Sequence, residues 1–364
     1  MGNLGDDALL RILLREGERC CAEFRPLIFS YRPDVILRDY HIPSVPAWAY
    51  DRRSPTRRLQ DWALQRCQVF VLGGGSLLSD YGGDASRVIA WLSLLQRATE
   101  LGRKTALCCI GVDTIRYRQS EDEIRRVLPR VDLIIVRDKR SAEYLRSIGI
   151  EREIVQVGDP TVLLAKPVVR RWPEHPHVAV CLRHWYSQGR FIQDERIFER
   201  VLADLAAFLD RLIERHNARV SFIPFRVAWR DDDRRIARCV YEQMARRDRA
   251  TLVTRSPRVE GFLQNLPNYH LVVGMRLHSV ILASATGIPA IGLDYSPKVG
   301  AFFRDLGLPE LALPMEMGLA ERLEEQSERL IANYAATSEH IVRVITAQQG
   351  ATRAALERMF SLVD

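Results

Sequence analysis

Lysine is almost missing from this chain. Of 53 basic residues among 364, only four are lysine, at positions 104, 139, 166 and 298, and arginine carries the rest of the charge. A lysine at 298 is either a chance survivor or a place where a compact, adjustable ammonium serves better than a planar guanidinium. Long basic runs and basic-aromatic stripes are also missing. The pairs Arg52–Arg53, Arg57–Arg58, Arg125–Arg126, Arg170–Arg171 and Arg234–Arg235 are scattered and interrupted by acids. The net charge of +7 therefore favours a small anionic substrate or an anionic membrane surface over nucleic acid. The seven cysteines form no CxxC pair, which excludes a zinc framework, and an odd number in apolar surroundings reads as reduced, buried and cytosolic. No metal-ligand constellation is present. The longest apolar run, Val280 to Leu293, is broken by Gly287 and Pro289, and no charged-then-apolar segment opens the chain, so neither secretion nor membrane spanning is expected.

What is present is an alternation of strand-like and helical patterns, the sign of parallel βαβ units. Strands are expected at Asp34–Leu37, Cys67–Leu72, Thr105–Ile110, Asp132–Val136 and Ile154–Val157, with helices such as Ala85–Leu101 and Lys139–Ile148 between them. A proline-rich, aperiodic stretch follows, and a second series then runs from the strand Val178–Leu182 to the strand Ala290–Asp294. This predicts an α/β protein of two Rossmann-like domains facing across a cleft: residues 1–165, a linker at 166–177, residues 178–318, and tail helices 319–364 that cross back, with a break at Gln348–Ala351. One irregularity lies at the start. The glycine-rich turn Gly2–Asp7 enters a helix expected at Ala8–Leu14, yet such turns normally follow a buried strand. Either the natural chain begins upstream of Met1 or the first domain lacks its central strand.

Five places carry candidate chemistry. In Leu271-Val-Val-Gly-Met-Arg276-Leu-His278-Ser279 an apolar strand hands Arg276 and His278 to a helix N-terminus, where unpaired N–H groups favour an anion. The next strand ends near Lys298, at the same sheet edge. Ile134-Ile-Val-Arg137-Asp138 and Val180-Cys-Leu-Arg183-His184-Trp185 repeat the device. Arg137 is read either as a bidentate clamp for a carboxylate or phosphate or as a partner of Asp138. His278 is read either as a proton donor near neutral pH or as a satisfied core histidine. Gly73-Gly74-Gly75 ends a strand but fits neither a Walker loop nor a dinucleotide fingerprint, leaving ligand contact or a bare turn. In the first turn, Gly2, Asn3 and Gly5 would wrap a sugar or phosphate, with Asp6 accepting from a substrate hydroxyl, or else Asp6 or Asp7 merely caps the helix.

In order along the chain, Gly2-Asn-Leu-Gly5-Asp6-Asp7-Ala8, Gly73-Gly-Gly-Ser-Leu-Leu78, Ile110-Gly111-Val112, Val136-Arg137-Asp138, Gly158-Asp159-Pro160, Gly274-Met-Arg276-Leu-His278 and Tyr295-Ser-Pro-Lys298 resemble the polysaccharide pyruvyl transferase family, of the CsaB-like kind. The resemblance implies a fold similar to two-domain GT-B glycosyltransferases. It also implies transfer of pyruvate from phosphoenolpyruvate to a saccharide acceptor on a cell-wall or exopolysaccharide precursor, lipid-linked at the inner membrane face, with no metal or other cofactor. By the same resemblance His278 is the general acid, and Arg137, Arg276, Lys298 and Arg183 bind the donor. Gly2, Asn3, Gly5, Asp6, Gly73, Gly74 and Gly75 face the acceptor. A nucleotide-sugar glycosyltransferase of the same architecture is the alternative. The expected location is the cytoplasm, peripheral to the membrane, and nucleic acid is not an expected partner.

Overall fold

The structure, a computed structural model, describes residues 3–48, 54–80, 84–184, 195–228 and 231–363. Gly2, Arg52, Arg53 and Trp185 lie outside the described residues. The chain divides into two α/β units: Leu9–Pro160 with Ala351–Asp364, and Gly2–Ala8 with Thr161–Gly350.

The first unit holds α1 (Leu4–Cys20) from its second turn onward, β1 (Ile28–Ser30), α2 (Pro33–Tyr40), β2 (Ser44–Pro46), α3 (Pro55–Arg66) and β3 (Val69–Leu78). It continues with α4 (Ser86–Glu100), β4 (Lys104–Val112), α5 (Arg118–Val127), β5 (Leu133–Val136), α6 (Lys139–Ser147) and β6 (Ile154–Gln156). Strands β3-β4-β5-β6 form one parallel sheet, and β1 pairs with β2 in a separate parallel pair. Leu64, Leu92, Leu95, Ile110, Ile124 and Ile134 are among the fully buried side chains that seal helices onto that sheet. The strand expected at Asp34–Leu37 is instead helix α2. Pro33 opens it at the first turn, and Ile36 is its buried side chain.

The second unit contains β7 (His177–Cys181), α7 (Glu195–His216), β8 (Arg219–Phe222), the antiparallel pair β9 (Val227–Ala228) and β10 (Asp231–Asp232), α8 (Asp233–Gln243), β11 (Ala250–Leu252) and α9 (Val259–Asn265). Then come β12 (Leu271–Gly274), α10 (Leu277–Ala285), β13 (Ala290–Asp294), α11 (Pro297–Asp305), β14 (Ala312–Pro314), α12 (Leu319–Ala332) and α13 (Tyr334–Phe360), whose last residues belong to the first unit. Its sheet runs β11-β8-β7-β12-β13-β14, all parallel. Chain order reverses between β7 and β12. That crevice, at the carboxyl ends of the strands, is where open α/β sheets bind ligands.

The segment expected as a linker, 166–177, lies inside the second unit: Val168 N donates to Thr286 O at 3.3 Å and Arg170 N to Ser338 Oγ at 2.8 Å. The opening turn groups there too, because Leu4 N donates to Phe225 O at 2.9 Å and Asn3 bridges Arg226. The break expected at Gln348–Ala351 does not occur. Helix α13 continues through Gly350, since one glycine costs only about 1 kcal/mol in a helix interior, too little to interrupt 27 residues. The thiols follow expectation in part. Cys108, Cys109 and Cys181 are buried in strands, but Cys239 is exposed on α8.

Candidate active site

In the second unit, three neighbouring strands deliver basic residues to the carboxyl edge: Arg183 follows β7, Arg276 follows β12, and Tyr295 and Lys298 follow β13. Arg183 and Arg276 therefore flank the point of strand reversal. Arg276 is 7% exposed, and two aspartates hold it. Its Nη2 donates to Asp233 Oδ1 at 2.5 Å and Asp231 Oδ1 at 2.9 Å, and its Nε donates to Asp233 Oδ2 at 3.1 Å. Burial works against the charge on this guanidinium, but Asp233 and Asp231 outweigh it and hold it above its ordinary value. Asp233 in turn accepts from the N–H groups of Phe225 (3.0 Å) and Arg226 (2.9 Å), while burial pushes its carboxyl up despite Arg276. Neither aspartate was singled out from sequence. The acidic run Asp231-Asp232-Asp233, set among arginines, was the available signal.

Arg183 donates through Nη1 to the Tyr295 hydroxyl at 2.8 Å, and its guanidinium carbon lies 5.2 Å from the Tyr295 ring centre. Lys298 Nζ lies 5.6 Å from the same ring. Burial would raise the phenol, yet Lys298, Arg183 and Arg276, with the hydrogen bond from Arg183, bring it down to about 8. Tyr295 is thus a buried phenol set among three cations. His184 packs on Phe198 at 5.2 Å, and burial lowers its imidazole.

His278 occupies the first turn of α10, and Arg276 is that helix's N-cap residue, with no side-chain cap among the described residues. The imidazole therefore sits at the positive end of the helix. Gly274 lets α10 start so close to β12, since a methyl there would come within 2.3 Å of Ser279 Oγ. Gly5 touches the histidine directly: a methyl at that position would lie 2.2 Å from His278 Nδ1. The structure thus brings the opening turn and His278 together within one unit. The cap expected from Asp6 or Asp7 is supplied by Asn3, whose Oδ1 accepts from Gly5 N at 3.2 Å, because the helix starts at Leu4 rather than Ala8. Asp6 is left exposed in the first turn of α1.

The first unit repeats the strand-arginine-helix device with a different outcome. Arg137, 6% exposed, follows β5 and donates through Nη1 to Asp159 Oδ2 at 3.2 Å and through Nη2 to Ser76 Oγ at 2.8 Å, with Asp138 Oδ2 3.7 Å from its Nε. Asp138 also caps α6, accepting from Ser141 N at 2.7 Å. The guanidinium lies flat on the backbone of Gly111, where a methyl would come within 2.6 Å of it. Hence Ser76, Gly111, Asp138 and Asp159, from four separate sequence motifs, converge on one arginine. The triple glycine has a packing role as well. Gly74 and Gly75 adopt φ of 80° and 81°, and Gly73 and Gly74 leave room for Leu13 and Leu9 of α1. The β3–β4 pairing shifts register here, and Cys109 opposite takes a φ of 49°. Arg57 and Arg58, one of the scattered pairs, are respectively half-buried and exposed on α3.

Among the described residues there is no helix long and apolar enough to cross a membrane and no group of three side chains suited to hold a metal ion. Comparison with known proteins agrees with the motifs. The fold is shared with UDP-GlcNAc 2-epimerase from Methanocaldococcus jannaschii (TM-score 0.60, 14% identity, 93% of this chain and 96% of that one). It is shared too with UDP-GlcNAc 2-epimerase from Neisseria meningitidis (0.61, 9%, 98% and 96%) and with a glycosyltransferase from Rickettsia africae (0.60, 10%, 98% and 93%). The expected architecture, two Rossmann-like α/β domains of the GT-B kind, is borne out at the level of fold. The Amylovoran biosynthesis protein AmsJ of Erwinia amylovora is 24% identical over 239 residues, 60% of this chain and 56% of AmsJ, so the chain spans just over half of that relative's length. The sequence model of the polysaccharide pyruvyl transferases matches residues 3–297, and the chain belongs to that family.

Proposed function

We propose that the protein transfers the pyruvyl group of phosphoenolpyruvate to two hydroxyls of a saccharide on a polysaccharide precursor, forming a cyclic ketal and releasing phosphate. The observation that carries this reading is the placement of His278 at an uncapped helix N-terminus beside Arg276, on a sheet edge that also holds Arg183 and Lys298. A trianionic donor suits that excess of positive charge, and the uncapped N–H groups suit its phosphate or carboxylate. His278 delivers a proton to the enol methylene, and positive charge develops on the adjacent carbon. An acceptor hydroxyl adds there and gives up its proton. Phosphate leaves with the electron pair of its C–O bond, and a second hydroxyl adds and loses its proton to close the ring. One acid and several anion-binding groups serve every step.

Asp6, exposed one residue from the glycine that touches His278, is the proposed acceptor of a hydrogen bond from the attacking hydroxyl, with Asn3 and Gly5 shaping the turn. Arg137, held rigid by Asp159 and Ser76, is proposed as a clamp for an anionic group of a substrate. A lipid-linked acceptor and a cytoplasmic site of action at the membrane face belong to the same proposal. A thermal-shift comparison tests the donor: phosphoenolpyruvate should raise the melting temperature in a concentration-dependent way, and UDP-sugars should not. Stabilisation by a nucleotide sugar alone would favour the glycosyltransferase reading instead.

A further inference from the structure

The opposite, amino edge of the second unit's sheet carries a row of basic residues with no part in the reaction above. Four adjacent strands, in the order β11-β8-β7-β12, begin at or immediately after Arg249, Arg219, His177 and His270. With neighbouring strands about 4.8 Å apart, the row extends roughly 14 Å. These four side chains, with Asn217 and Asn268 from the flanking turns, line a cavity of about 520 Å³. That volume is in the range of small-molecule sites. His175 completes the wall, and among the described residues no carboxylate lines it.

Local hydrogen bonds fix how these groups present themselves. His177 N donates to His270 Nδ1 at 3.1 Å, so the neutral His270 carries its proton on Nε2. His177 Nε2 pairs with Ser221 Oγ at 2.8 Å, and His175 Nδ1 with Asn217 Nδ2 at 2.8 Å. Arg249 is anchored through Nη2 to Asn217 O at 2.9 Å and Asn217 Oδ1 at 2.8 Å. Arg219 is exposed. Burial first, then mutual repulsion with His270 and Arg219, lowers the His177 imidazole, and burial followed by Arg170 lowers that of His270. An entering anion would relieve that repulsion.

We propose that this edge binds a phosphate-bearing polyanion, of which diphosphate is the smallest form. Two cationic forks and at least one imidazole N–H in a row match several phosphate oxygens better than one carboxylate. The site is separate from the candidate active site, because β7 and β12 carry Arg183 and Arg276 at their other ends. The phosphates have two sources, a free diphosphate or the headgroups of an anionic membrane.

Calorimetric titration of sodium diphosphate into the full chain, with the histidine ring resonances followed by NMR, tests this. Binding should move the His177 and His270 signals and weaken at least about tenfold in Arg219→Gln/Arg249→Gln. The exposed Arg219→Gln alone should show part of that loss, whereas Arg183→Gln should stay within about twofold of wild type. Equal binding by wild type and the double variant, ring shifts confined to His278, or no binding would overturn the proposal. Sedimentation with phosphatidylglycerol but not phosphatidylcholine vesicles, dependent on Arg219 and Arg249, would identify the source as headgroups. Diphosphate binding without sedimentation would identify it as free diphosphate.

Discussion

Arg137 and Arg276 hold equivalent places in two α/β units, each buried at the carboxyl end of a parallel strand with a helix about to begin. Their surroundings differ. Around Arg137 the helix is capped by Asp138, and Asp159 neutralises the guanidinium. Around Arg276, two aspartates are set against three cations, Arg183, Lys298 and Arg276 itself, and the N-cap residue of α10 makes no side-chain cap. One turn is closed on its own acids. The other keeps positive charge and an N-terminus without a side-chain cap, with a histidine in its first turn. The same strand-to-helix device is thus a pre-set clamp in one unit and, as proposed, the donor site in the other, and the difference lies in the cap and the number of cations.

The largest expected effect that would break this contrast is at the glycines. Gly5→Ala drives a methyl into the His278 ring and should cut activity about 100-fold, as displacement of a catalytic group by an ångström does, with the fold intact by circular dichroism. Gly111→Ala meets only the flexible end of Arg137 and should cost activity about tenfold or less. Equal losses would mean that His278 is no more sensitive to position than Arg137. Removing the acids sharpens the same comparison in stability. Asp233→Asn should cost about 3 kcal/mol in urea unfolding at pH 7, because it weakens the hold on a fully buried cation. Asp159→Asn should cost about 1 kcal/mol, since Arg137 keeps Ser76 and Asp138.

The excess positive charge should also appear in a pH profile. With its pKa lowered from 10 to about 8 in the folded state, Tyr295 adds stability that is complete above pH 10 and is lost as pH falls through 8. Stability of wild type relative to Tyr295→Phe should therefore rise between pH 8 and 10, by about 2.7 kcal/mol at most. A flat difference would show that Lys298, Arg183 and Arg276 do not act on the phenol as a group. The smallest effect is a control that changes helix propensity alone. Gly350→Ala, with open space around it inside α13, should stabilise by about 0.5–1 kcal/mol.

Much of this arrangement was legible in the sequence, and what was not has a physical reason. The strands β7, β12 and β13 and the basic residues that follow them show as short apolar runs ending in a charge, because a strand buried on both faces is nearly all apolar in its interior. The segment Asp34–Leu37, expected as a strand, belongs to an eight-residue helix of about two turns, too short for its period to declare itself. Asp231 and Asp233 escaped because their bond to Arg276 spans more than forty residues and depends on the fold around α8. The packing of the triple glycine against Leu9 and Leu13 is not legible locally either, because those leucines lie sixty or more residues earlier in the chain. Likewise no periodicity announces that Gly5 lies against His278, although both belong to motifs the family shares.

The central claim is that His278 supplies the proton that opens phosphoenolpyruvate to attack. Phosphate release from phosphoenolpyruvate in the presence of saccharide acceptors, measured for wild type and His278→Ala, tests it most directly. The expected result is release that requires an acceptor and falls at least about 100-fold in the variant. Full activity in His278→Ala, or no acceptor-dependent phosphate from wild type, would contradict it.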